Sequence, residues 1–238
     1  MPFSEQVRTT IYDYCENHLA DEAWYNNEFD FIEESTIRKR IIEEFKGIRF
    51  AYKLYEGISA TDENRIFEVR HQILAYASIY EAIIHFVLYT YYQDTVEFHK
   101  MQYHTVPTKM SICERQMIEV KKILSQQNEH IYIYHNQERK KDESQVRFDD
   151  KCRAAEALGL IRKFVSDQRE VIDLPAEIIE IYGYRNAIHL VAEQRKGIQY
   201  ELVLSKKAYR RMRPFVDQIK AGLLRDHKSI YALEKDGV

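Results

Sequence analysis

Glycine and proline are scarce, seven and four in 238 residues. No cluster of them marks a flexible linker or a run of hairpin turns, so the chain points to long helices with short connections. Cysteine is nearly absent as well. Cys15, Cys113 and Cys152 are odd in number, far apart and without metal-ligand spacing, and a chain of this length can bury a core without disulfide or metal staples. The opening MPFSEQVRTTIYDYCENHL has no secretory hydrophobic region, which makes a reducing cytosol the simplest home. An excess of either charge is lacking too: 35 Lys and Arg face 38 Asp and Glu. A net charge of -3 is too small to draw a nucleic acid or a membrane through the global field, so any such site must be a local basic patch. No glycine-rich phosphate loop, G-x-S-x-G elbow or internal repeat is present.

What remains is a folding composition, 45% hydrophobic and 31% charged. Helical spacing appears first from Ser4 to about Ala23, with WYNNEFDF as an interruption. It returns in ESTIRKRIIEEFKGIRFAYKLYEG, with Ser35 or Thr36 as N-cap and Gly57 as the stop. The next helix, about residues 63–92, carries Ile66, Val69, Ile73, Ala77, Tyr80, Ile84 and Val87 on one face. Its segment 73–92 has the length of a membrane span, but Glu81 stands near the centre and His85 one turn on. A carboxylate at mid-bilayer costs about 2.5–3.5 kcal/mol, so the segment is expected to be a buried core helix with no membrane partner.

Further helices are expected over residues 110–126, in FDDKCRAAEALGLIRKF with a close near Gly159, and from about Ser205 to Leu224. HIYIYH and IQYELVL alternate as short strands do, while NQERKKDES reads as a solvated loop. The expected class is all-α, with one short β-hairpin at most.

EIIEIYGYRNAIHLVAE, residues 177–193, carries the most informative pattern. Asp173 and Pro175 suit its first turn and Gly197 follows its end. On a wheel advancing about 100° per residue, Ile178, Ile181, Tyr182, Ile188 and Ala192 form an apolar stripe that also contains Arg185 and His189. A guanidinium on such a stripe must be paired or must face a cleft. Either Arg185 meets a carboxylate, with Glu81 on the central helix as the structural partner, and His189 is a hydrogen-bonded core histidine; or the two converge, one turn apart, on a phosphate. Asn186 lies about 100° away, where it bonds beside the pair or braces the backbone.

SKKAYRRMRPF interleaves Lys206, Lys207, Arg210 and Arg211 with Tyr209 and Phe215, as a nucleic-acid contact or a solvated basic face does. His99 and His104, like His130 and His135, lack partners at a metal-binding spacing, so no metal is expected.

YRNAIHL behind KCRAAEALGLIRKF, with YASIYEAIIHFVL upstream, resembles the HEPN superfamily of helical domains. The resemblance covers roughly residues 66–194. It implies a helical core over residues 61–200, an N-terminal helical extension over 1–60 and a basic C-terminal helical tail over 201–238, in an antiparallel bundle. It implies a homodimer and a metal-independent, cofactor-free ribonuclease site of Arg185, Asn186 and His189, with RNA as partner and Lys206, Lys207, Arg210 and Arg211 as further contacts. A defence or toxin setting with a regulatory protein partner follows from the same resemblance. The gap between Arg185 and His189 is shorter than the family's usual one, and the family includes inactive members. A non-catalytic dimerisation or RNA-binding module is therefore the alternative.

Overall fold

The computed structural model describes residues 2–124, 130–188 and 197–228. The chain is predominantly helical, with two small antiparallel sheets. α1 spans Glu5–Glu16 and ends well before Ala23. The aromatic stretch expected to break the helix instead forms much of α2, Glu22–Glu28. The reason is local: the Asp21 carboxylate accepts from Trp24 N at 2.7 Å and caps the new helix. α3 runs Ser35–Gly57 with Glu34 as an N-cap that makes no side-chain capping bond, so Ser35 and Thr36 are its first helical residues rather than its cap.

α4, Asp62–Tyr91, is the axis of the fold. It packs against α3 and, later in the chain, against α7 (Phe148–Ala157), α8 (Leu174–Asn186) and α9 (Leu202–Arg225). Of the face read from the sequence only Ile66 is exposed, while Tyr76, Ile79 and Ile83 are buried on other sides. The helix is long and apolar enough to cross a membrane; here neighbouring helices bury most of its apolar stretch, while Ile66, Phe67 and Leu74 remain exposed. One core cluster joins Tyr25 and Phe45 to Tyr76, Tyr80, Cys152, Ile178, Phe215 and Ile219. It thus draws on residues before position 61 and after 200 as well as between. Phe45 is its aromatic hub, with ring contacts to Trp24, Tyr25, Phe29, Tyr76 and Tyr209. The buried Tyr80 hydroxyl donates to the Ala208 carbonyl at 2.8 Å, tying α4 to α9.

Between α4 and α7 the chain makes α5 (Val96–Gln102), β1 (Tyr103–Met110), α6 (Glu114–Ile123) and β2 (Ile133–Lys140). β1 and β2 pair antiparallel over their full lengths, Tyr103 opposite Lys140 and Met110 opposite Ile133. The expected helix over residues 110–126 therefore starts later, at Glu114, and the expected loop NQERKKDES is strand as far as Lys140. Its polarity reflects a ribbon with water on both faces, a pattern that composition cannot tell from a loop. Gly159, at φ 70°, follows the end of α7, where the left-handed region favours glycine. β3 (Phe164–Val165) and β4 (Val171–Ile172) form the second sheet and lead into α8.

IQYELVL is not a strand. Tyr200 and Leu202 instead pack against Val69 and Ile73 of α4 as α9 begins. Cys15 and Cys152 are buried, whereas Cys113, just before α6, is exposed.

Candidate functional site

α8 begins as its sequence indicates: Asp173 accepts from Ala176 N at 3.2 Å and Pro175 occupies the first turn. Its described end differs from the expectation of one helix through Glu193. Asn186 is the last helical residue and Ala187, at φ -96° and ψ 0°, is the C-cap. Arg185 thus stands in the last turn, where a cation faces the negative end of the helix dipole. His189 lies outside the described residues, as do Ala192 and Glu193. Asn186 is exposed.

The helix axis brings Arg185 to Glu81 on α4. Arg185 Nη1 is 3.5 Å from Glu81 Oε2 and donates to the Tyr182 hydroxyl at 2.7 Å. That hydroxyl donates in turn to Glu81 Oε1 at 3.1 Å. Phe148 stacks on the Tyr182 ring at 4.1 Å and the Arg185 guanidinium lies over it at 4.9 Å. Burial, then the Glu81 charge, pushes the Tyr182 hydroxyl above its ordinary pKa. The Arg185 and Glu81 side chains keep 31% and 29% of their surface exposed. All of the polar contacts of Arg185 among the described residues pass through Nη1. Its Nε–Nη2 edge, the fork that fits two phosphate oxygens, has no hydrogen-bond partner among them.

One turn along α4 a second polar group follows. Lys151 of α7 is only 8% exposed, and its Nζ lies 3.2 Å from His85 Nδ1. An ammonium only donates, so Nδ1 accepts and the imidazole proton sits on Nε2. His85 stacks on Tyr89 at 4.1 Å, whose hydroxyl accepts from Gln102 Nε2 at 2.9 Å. Burial, then the Lys151 charge, holds the His85 pKa below its ordinary value, with Glu143 and Glu81 opposing. The sequence reading did not single out Lys151. The signal was the spacing of Glu81, His85 and Tyr89, four residues apart on one face of the apolar second half of α4.

The basic segment does not form a uniform positive surface. Lys207 reaches Glu180 at 2.7 Å and Glu177 at 3.5 Å, and Arg211 pairs with Glu177, so α8 neutralises two of the four expected contacts. Lys206 and Arg210 are exposed. Phe215 is buried and Tyr209 lies beneath Arg49, 4.0 Å from its guanidinium carbon. His99 stacks on Tyr103 and lies 3.7 Å from Glu138. His104 is opposite Arg139, and His135 opposite Thr108, in the ribbon. Among the described residues no group of three or more His, Cys, Asp or Glu side chains is gathered to hold a metal ion.

Comparison with protein-family models, curated proteins and solved structures finds no match to this chain.

Proposed function

We propose that this chain is an HEPN-like, RNA-directed protein of the cytosol that acts as a metal-independent endoribonuclease in a defence or toxin setting. The observation that carries the reading is the posture of Arg185. Nη1 is tethered to Tyr182 and Glu81, while the Nε–Nη2 edge has no hydrogen-bond partner among the described residues and the side chain is partly exposed. Such an edge binds a phosphodiester in bidentate fashion and stabilises charge on it during transfer. In this reading His189 moves a proton at the ribose 2′-OH or the leaving oxygen, and exposed Asn186 orients the strand. A homodimer supplies two such sets. Purified protein is incubated with RNA in excess chelator. His189→Ala is expected to slow cleavage about 100-fold or more; identical RNA patterns for wild type and variant would show the catalytic assignment to be wrong.

The Glu81 contact supports a second reading, a non-catalytic interaction module in which Arg185 is structural. Both partners retain nearly a third of their exposure, so the ion pair contributes only about 1 kcal/mol. This reading predicts that Arg185→Ala lowers stability by about that amount in urea unfolding and leaves RNA untouched. The ribonuclease reading predicts the same small loss of stability together with loss of cleavage.

A further inference from the structure

The β1–β2 ribbon has the geometry of an arm rather than of a core element. Eight paired residues give it a length of about 27 Å. None of its strand residues is buried, and neither is any residue of α6. Its charge differs from that of the chain as well. Residues 103–140 hold six Lys or Arg against four Glu, in a chain where acids outnumber bases.

Strand alternation sorts the side chains into two faces. Tyr103 and Lys109 of β1 share a face with their partners Lys140 and Tyr134 of β2, and Tyr132 falls on the same side two residues before Tyr134. Tyr132 and Tyr134 are each 57% exposed. Lys109 Nζ lies 4.3 Å from the centre of the Tyr132 ring. The carboxylate on this face, Glu138, lies toward α5, 3.7 Å from His99.

We infer that this face of the arm is a platform for single-stranded RNA, with bases stacking on Tyr132 and Tyr134 and phosphates meeting Lys109 and Lys140. The two lysines stand about 20 Å apart along the ribbon, so they follow a strand rather than one isolated anion. Tyrosine rings offer flat surfaces to any base, and lysines supply the sequence-independent attraction. A duplex keeps its bases stacked on each other, which leaves those rings unused. The inference rests on the RNA-directed reading but requires no cleavage by this chain.

The test is fluorescence anisotropy of the full chain with a labelled 2′-O-methyl oligouridine, which lacks the 2′-OH needed for self-cleavage. Tyr132→Ala/Tyr134→Ala is expected to weaken binding tenfold or more. Lys109→Ala is expected to reduce the slope of log affinity against log salt by about 0.7. Unchanged circular dichroism and melting temperature separate these effects from unfolding. If both arm variants bind like wild type while Arg185→Ala binds more weakly, the arm inference falls and the RNA-directed reading stands. If wild type binds no RNA even at low salt, the RNA-directed reading falls and takes the inference with it. If the tyrosine variant keeps RNA binding but loses self-association in sedimentation, the arm is a protein interface and the inference is overturned.

Discussion

Two cations lean on α4 within one turn of each other, and their partners decide their behaviour. Arg185 has a carboxylate and a hydroxyl, whereas Lys151 has the imidazole of His85. Burial disfavours the charged imidazole, and protonation would also set a second cation against the Lys151 ammonium, so the folded pKa of His85 is held below the unfolded value of about 6.5. The sign follows directly. As pH falls through about 6.5 the unfolded chain takes up the proton first, so stability is full above that pH and is lost as pH falls toward the folded pKa. Urea unfolding between pH 7.5 and 5 should show this decline, and His85→Gln should flatten it. Glu81 and Glu143 oppose the depression, so Glu81→Gln should make the decline steeper. At this scale the sequence revealed Arg185 and Glu81 because charges inside apolar patterns stand out. Lys151 escaped notice because a lysine in a helix as polar as KCRAAEA has the composition of a solvated face.

Among the elements, α9 depends on a missing side chain. A Cβ at Gly222 would stand 2.6 Å from Leu160 Cδ2, and Leu160 is fully buried. Gly222→Ala should therefore cost about 1–3 kcal/mol by overpacking. Gly47 in α3 has nothing within 4 Å of the same position, so Gly47→Ala should gain about 0.5–1 kcal/mol from helix propensity. Chemical denaturation of the two variants is expected to give opposite shifts in midpoint. Long helices with strong periodicity, such as α3, α4 and α9, were readable within a few residues because burial imposes a helical period. The ribbon was readable only at HIYIYH, whose residues Ile133 to His135 enter β2; the rest was not, because strands wetted on both faces need not alternate in polarity. The end of α8 was unreadable for another reason: Ala187 and Ile188 suit a helix by type, and only the Ala187 backbone angles and the bonds from the two N–H groups to carbonyls three residues back mark the end.

For the whole molecule, the shared core and the exposed arm predict separable roles. Replacing residues 105–138 with Asn-Gly joins His104 to Arg139 through a two-residue turn, the connection such a cross-strand pair accommodates. The shortened protein should retain a single cooperative thermal transition near the wild-type midpoint, because β1, α6 and β2 place no residue in the buried core. A broadened or strongly lowered transition would show that the arm supports the body.

The three thiols add a practical consequence. With Cys15 and Cys152 sealed inside and Cys113 open beside α6, brief maleimide treatment should place one fluorophore on the arm of the unmutated protein. Its emission would then report what the arm touches.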